Sequence, residues 1–467
     1  MIPGLGKGAA DLVPAEQLDT DLLAGDRVEG EEPTETGALE VLRNRPFLAL
    51  WLAQALTQIG GNMVLYGLTV RVFSLTGSTS AVSLLILTFL VPAVLLSAVA
   101  GVYVDRLDRR LILVVTNLLR AIMFGLLFFV GDNLGLILVL NAVISTVTTF
   151  FAPAEAAMIP VLVRRGQLLA ANGIFTVTLN AAFALGFALL GPLVVNLTSP
   201  QALLLVVATL YLLAMILTLS LPSVPPTISE HGLAVHEASA AVESTFGQLR
   251  EGITFIRANR NITWSLIYLG ITASLIGVLG VVGPAFATEA LGLSAKDFVV
   301  IVLPLGIGVV TGILLLNSYG KVLSRRRTIE SGLILLGIFL AILSAAGPVT
   351  RFLQHVTSVS PIDVSSLVTL LSVVIVLAFL AGIAYACVAI PAQTQLQEDL
   401  PEEVRGRVFG VLNMLISTAS FLPIIIVGQI ADLLSTTAVV FVVALAISAS
   451  GILSAVGRRI PGSDLPG

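Results

Sequence analysis

Four polar side chains recur at every fourth position inside an otherwise apolar stretch: Gln54, Gln58, Asn62 and Tyr66. That spacing stacks them on one face of a helix. Amides left against hydrocarbon are costly, so the face requires water, a solute or another helix. A second stretch offers Asn141, Ser145, Thr148 and Thr149, and two further ones offer Thr272, Ser274, Tyr385 and Gln393. Neutral groups of this kind can hold an amphipathic solute reversibly. They can equally glue helices together, at about 0.6–2 kcal/mol per contact. Charge within the apolar stretches is scarcer: Arg120, Glu155 and Glu289. A central arginine costs at least ~2.5 kcal/mol to insert and calls for a partner, for which Glu155 is the candidate. Glu155 and Glu289 are also the carboxyls available to exchange a proton. Arg71 and Asp432, at the ends of two stretches, could join Glu289 in gate contacts. The three histidines, His231, His236 and His355, fall in loops, and no metal cluster, catalytic triad, nucleic-acid patch or G-x-x-x-x-G-K-[ST] phosphate loop occurs. No enzymatic activity, metal, cofactor or nucleic-acid partner is therefore expected.

These side chains need elements to hold them, and composition says which. Of 467 residues 57% are apolar and only 11% charged, against about 25% charged in a soluble domain. Crossing the hydrocarbon core takes about 20 residues. Twelve runs are long enough: 46–70, 80–104, 111–131, 133–157, 168–195, 201–221, 262–288, 297–319, 328–347, 365–391, 406–431 and 436–457. They are continuously apolar rather than alternating, which predicts helices and excludes a barrel. The expected fold is an all-α membrane protein of twelve transmembrane helices.

Basic residues orient it. With a cytoplasmic N-terminus, eighteen of the 24 Lys and Arg fall on the inner side and three, Arg71, Lys296 and Arg351, on the outer side. Both termini are therefore expected in the cytoplasm of a multi-pass protein of the cell (inner) membrane. Residues 1–42 form an acidic tail expected to be disordered. Residues 43–221 and 262–458 are two six-helix halves, 222–261 is a cytoplasmic linker, and 459–467 a short tail. Within the linker Phe246, Leu249, Ile253 and Ile256 share a helical face, predicting an interfacial helix. The lone Cys387 permits no internal disulfide.

The halves echo each other. Pro160-Val161-Leu162-Val163-Arg164 matches Pro401-Glu402-Glu403-Val404-Arg405, and Gly101-x-x-x-Asp105-Arg106 is echoed by Gly320-x-x-x-Ser324-Arg325. The loop Gly101-x-x-x-Asp105-Arg106-x-x-Arg109-Arg110, together with Gln58-Ile59-Gly60-Gly61-Asn62, Leu118-Leu119-Arg120-Ala121, Leu249-Arg250-Glu251-Gly252 and Arg405-Gly406-Arg407-Val408-Phe409-Gly410, resembles the major facilitator superfamily, in the branch of enterobactin exporters and macrolide-efflux proteins. The resemblance implies two pseudo-symmetric halves with a substrate site between them near midplane.

It further implies an inner latch formed by Gly101, Asp105, Arg106, Arg109 and Arg110 against Arg405, Gly406 and Arg407, in which Asp105 caps the eleventh helix. The cavity would be lined by Gln54, Gln58, Asn62, Tyr66, Asn141, Ser145, Thr149 and Gln393. Gly186 and Gly191-Pro192 keep part of an antiporter pattern in the fifth helix, favouring export. The chain departs from the branch at Asn62, where an acid is common, and at Ser324, which leaves the second latch turn without its carboxylate.

The expected function is secondary active transport by alternating access: ion-coupled, most simply proton-coupled, efflux of a small amphipathic compound such as a drug, macrolide or siderophore, by a monomer. Lipid or nutrient transport by the same fold is one alternative. A non-transport scaffold or sensor is another.

Overall fold

The computed structural model describes residues 38–224, 260–319, 324–358, 369–399 and 423–457, a few of them, Asp105 among them, by backbone alone. A short α1 (Ala38–Leu42) precedes α2 (Arg45–Thr76), α3 (Thr79–Arg106), α4 (Arg109–Phe129) and α5 (Leu134–Leu162). Next come α6 (Leu168–Phe183), a π-helical segment (Ala184–Leu190) and α7 (Gly191–Leu197), which together make one span, followed by α8 (Pro200–Leu219). The second half holds α9 (Arg260–Glu289), α10 (Val299–Tyr319), α11 (Arg325–Ser344), α12 (Ala346–Ser358), α13 (Leu370–Asp399), α14 (Pro423–Leu433) and α15 (Thr436–Gly457). Eleven of these helical stretches are long and apolar enough to cross a membrane. With α14, the described end of the expected 406–431 run, they account for the twelve-helix plan. The interfacial helix expected around 246–257 lies outside the described residues.

Helix ends follow local chemistry. Asn44, Ser78, Asn133 and Ser199 cap α2, α3, α5 and α8 by accepting hydrogen bonds from Phe47, Ala81, Leu136 and Ala202 backbone N–H groups. α2 ends at Gly77, whose φ of 62° is open to glycine at no steric cost. The π segment precedes Pro192, which has no N–H to return to the Ala188 carbonyl, so the helical register widens there. One element departs from expectation. Residues 348–364 read as an outer loop, yet α12 runs on to Ser358, because Pro348 falls in its first turn, where a missing N–H breaks no helical bond.

Within each half the helices pack closely: α4 and α2 on α8 and α3 on α5 in the first, α10 and α11 on α13 and α11 on α15 in the second. Small residues permit this where lipid supplies no hydrophobic drive between helices. A Cβ at Gly308 or Gly382 would run into the backbone carbonyl of Phe379 or Leu305 across the α10–α13 contact.

Contacts between the halves are distributed differently. Hydrogen bonds joining described residues of the two halves gather at the end carrying Gly77 and Thr198, and the larger apolar core continues across the halves. At the opposite end a separate apolar cluster, including Phe47, Leu113, Met158 and Phe175, belongs to the first half alone.

Candidate functional site

The stripe on α2 changes character along its length. Tyr66 is fully buried, Gln58 and Asn62 are half-buried, and Gln54 is buried with its Oε1 unpartnered. Asn62 Nδ2 donates to the Gln58 carbonyl at 2.8 Å, folding the amide back along its own helix. The π segment seats on this face. A Cβ at Gly186 would lie 2.5 Å from the Ile59 carbonyl oxygen and 2.8 Å from Asn62 Cβ, and one at Gly191 would lie 3.1 Å from Tyr66 Cβ. Glycine is required at Gly186, since backbone cannot yield to it.

Tyr66 joins the two halves at the Gly77 end. Its hydroxyl donates to the Lys296 carbonyl in the other half, and its ring stacks on Phe298 with centroids 4.6 Å apart. Phe187, from the π segment, meets the Tyr66 ring edge-on. Beside this lid α3 meets α14. The Asp432 carboxylate accepts from Ser78 Oγ at 2.7 Å and from the Thr79 and Ser80 N–H groups at 2.7 and 3.0 Å, with Thr79 Oγ1 as a further donor. Thr79 Oγ1 shares its single proton between Asp432 and the Gly428 carbonyl, and Ser83 Oγ donates to that of Ile424. A carboxylate thus caps the N-terminus of a helix in the opposite half, where free amides and the helix dipole favour an anion.

Two expected cavity residues lie elsewhere. Asn141 and Ser145 are 5% and 0% exposed and face α3. Asn141 Nδ2 donates to the Leu85 carbonyl at 2.9 Å and to Thr88 Oγ1 at 3.0 Å, and Ser145 Oγ to the Phe89 carbonyl. Pro92 interrupts the helical bonding of this stretch of α3, so these side chains bind a weakened helix rather than a solute. Thr149 Oγ1 donates to the Ser145 carbonyl of its own helix, and Gln393 is exposed on α13. Asn141→Ala or Ser145→Ala is expected to cost about 1 kcal/mol of stability and leave the cargo profile unchanged, whereas Asn62→Ala changes the profile; resistance panels beside thermal unfolding separate the two.

The charged candidates divide likewise. Arg120 is buried and Glu155, within electrostatic reach of it, is buried with Oε1 unpartnered and no hydrogen bond from the guanidinium. Glu289 Oε2 accepts from the Thr436 N–H at 3.2 Å and Thr436 Oγ1 at 2.6 Å, capping α15 within its own half. Arg71 donates to the Leu127 carbonyl at 3.1 Å and to that of Gly131, closing the end of α4. Among the described residues neither joins a gate between the halves; of the three end charges expected in that role, Asp432 alone bridges them there. Glu330 was not anticipated: it is buried, paired with Arg326 at 3.0 Å and in reach of Ser454 Oγ.

At the other end of the bundle the Asp105 side chain and Arg405, Gly406 and Arg407 lie outside the described residues. A Cβ at Gly101 would meet no described atom within 4 Å, so nothing described packs closely on that one face of α3, although Ala100 and Val104 beside it are buried. Arg109 Nη1 lies 3.4 Å from the Ala157 carbonyl and Arg110 donates to that of Leu219, both within the first half; Arg106 is half-buried. The loop's other acid, Asp108, caps α4 through the Arg110 and Leu111 N–H groups and binds Ser223 Oγ and the Val224 N–H. It anchors the start of the linker. Partial burial works to raise its pKa, but these four hydrogen bonds outweigh burial and hold it below the usual carboxylate range. A depressed folded-state pKa gives stability that is present above about 3.9 and lost as pH falls further. Asp108→Ala is expected to cost about 1 kcal/mol at neutral pH and progressively less in acid, as read by unfolding at a series of pH values.

The helical bundle and its two halves define a class, and sequence comparison agrees. Residues 50–423 match the model of the Major Facilitator Superfamily. The chain belongs to that superfamily and is a multi-pass membrane transporter. It is 23% identical to the multidrug efflux pump Tap of Mycolicibacterium fortuitum over 434 residues, 90% of this chain and 97% of the pump. Macrolide efflux protein A of Streptococcus pyogenes is 22% identical over 83% of this chain and 89% of its own length. Among solved structures the nucleoside transporter NupG has a TM-score of 0.62 at 14% identity, covering 89% of this chain and 99% of its own. A bacterial homologue of the iron transporter ferroportin, solved in an inward-facing state, gives 0.61 at 13%, covering 88% and 98%. At such identities the structural likeness carries the fold alone.

Proposed function

We propose that the chain exports a small amphipathic compound, a drug, macrolide or siderophore, by alternating access driven by an ion gradient. The observation that carries this reading is the closure at one end: Tyr66, Phe298 and Asp432 seal the halves together at the Gly77 end, while Gln58 and Asn62 stay half-exposed and no described residue approaches Gly101. With both termini in the cytoplasm of a cell-membrane protein, as the arginine distribution supports, this is the inward-facing member of the cycle. The efflux relatives support export, and the retained Gly186 and Gly191-Pro192 fit it. Gln54, Gln58, Asn62 and Tyr66 line the path with Thr149 and Gln393. Asp105, with Arg106, Arg109 and Arg110, latches the opposite conformation against Arg405, Gly406 and Arg407. The halves, 43–221 and 262–458, rock as units of a monomer about the 222–261 linker.

Glu155, unlike Glu289, has an oxygen without a partner and is the better placed to carry the coupling proton. Cells expressing the chain are expected to accumulate less of at least one compound in a drug and siderophore panel, and to lose that difference when the proton gradient is dissipated. Equal accumulation with and without the chain across the panel counts against export. Undiminished export without the gradient counts against proton coupling.

A further inference from the structure

Inside the first half lies a buried cluster that contacts with cargo do not explain. The Arg120 guanidinium sits 4.3 Å from the Phe151 ring centroid and 4.7 Å from that of Tyr211. Its Nη2 donates to Asn117 Oδ1 at 2.6 Å and its Nε to the Thr116 carbonyl at 3.3 Å. The cation is thus held by aromatic faces, an amide and a backbone carbonyl. Glu155, the one described carboxyl deep in this half, accepts none of these bonds, and its Oε1 has no partner.

Helical spacing puts the unsatisfied atoms at one level. Glu155 lies one turn along α5 from Phe151, Asn117 nearly one turn along α4 from Arg120, and Gln54 nearly one turn along α2 from Thr57, whose carbonyl accepts the Tyr211 hydroxyl at 3.1 Å. All three displacements run toward the Asp108 end. Three buried side-chain atoms of this layer lack partners: Gln54 Oε1, Glu155 Oε1 and the donor Asn117 Nδ2. The two oxygens and the amide find no partner in one another. An ionised Glu155 would be a buried charge with an unpaired oxygen, whereas the neutral acid carries no charge and offers an O–H.

We propose that Glu155 carries a proton in this conformation and that losing it transfers Arg120 from the Phe151 and Tyr211 rings to the Glu155 carboxylate. The Glu155 O–H bond breaks and the proton leaves to water. The resulting anion attracts a cation that until then had only neutral neighbours. Departure of Arg120 exposes the Tyr211 ring, whose hydroxyl ties α8 to α2 at Thr57, so proton loss loosens the helix that bears the polar stripe. Other titratable groups near Glu155 are few. Tyr103 of α3 packs on Phe150, with centroids 6.5 Å apart, and Arg109 reaches the Ala157 carbonyl; the described residues of α2 and α6 beside it supply no acid.

This switch rests on the ion-coupled reading above, but its test needs no cargo. Infrared difference spectra of the full chain in lipid nanodiscs, recorded across pH, are expected to show the C=O band of a protonated buried carboxyl at neutral pH. Glu155→Gln, isosteric with the neutral acid, removes the band. Arg120→Gln leaves the band but moves its loss at least about one unit higher in pH, because the cation favouring the carboxylate is gone. Identical neutral-pH spectra for the wild type and Glu155→Gln overturn the proton site. A titration unmoved in Arg120→Gln overturns the arginine transfer. Should the band and its shift appear while export ignores the proton gradient, the switch stands and the coupled reading fails.

Discussion

Asp432→Ala is expected to shift the transporter about tenfold toward the conformation open at the Gly77 end, and to lower its export accordingly. The carboxylate bridges the halves through Ser78, Thr79 and Ser80, and no described group would replace it. Losing the acceptor leaves the first amides of α3 to water, which costs about 1–2 kcal/mol for a cap of this kind. Because the cap exists only when the halves meet, the loss falls on one state of the cycle, and 1.4 kcal/mol is a factor of ten in its population. Spin labels on cysteines placed at the exposed Leu75 and Leu434, with Cys387 replaced by serine, report the separation of that end. An unchanged distance distribution would remove Asp432 from the gate. Asp432→Asn keeps one acceptor oxygen and is expected to fall between the two.

The two latches share a design. Asp432, near the C-terminal end of α14, caps the start of α3, and Asp105, near the C-terminal end of α3, is proposed to cap the start of the span that ends in α14. Each helix thus offers an anion at one end and free amides at the other. Only one contact can be made at a time if the halves rock, so strengthening either biases the cycle away from the other state.

What the sequence shows plainly is what the bilayer dictates. About twenty apolar residues per span place most of the helices within a few residues, and the caps Asn44, Ser78, Asp108, Asn133 and Ser199 emerge from the structure. α12 escapes because Pro348 and its polar neighbours look like a loop when the first-turn exemption for proline is not applied. The site is less legible. A polar residue every fourth position marks a face but not what the face meets: Gln58 and Asn62 stay half-exposed, whereas Asn141 and Ser145, on the same kind of stripe, are consumed by carbonyls near Pro92. Arg71 gives its two terminal nitrogens to carbonyls instead of a carboxylate, which no count of opposite charges reveals. Asp432 stands out as an acid at the end of a span, yet its partners lie some 350 residues away and appear only when the halves are assembled.

Gly428→Val is expected to abolish transport while leaving each half folded. A Cβ at Gly428 would run into Ser83 Oγ and would lie 3.0 Å from the Thr79 carbonyl, both across the boundary between the halves. The serine could rotate away, but only by giving up its bond to the Ile424 carbonyl, and the backbone oxygen has no such freedom. Overpacking of this kind costs about 1–3 kcal/mol, added to the loss of the Thr79 and Ser83 bonds, and all of it is charged to the closed state. The substitution therefore acts as a wedge at the Gly77 end. Gly308→Val provides the contrast, since its clash with the Phe379 carbonyl lies within the second half; it should lower stability in detergent without favouring either conformation. If Gly428→Val instead unfolds the protein as readily as Gly308→Val, or transports normally, the α3–α14 contact is not a moving interface. Retained folding with the labels at 75 and 434 held apart is the result that a rocking mechanism requires.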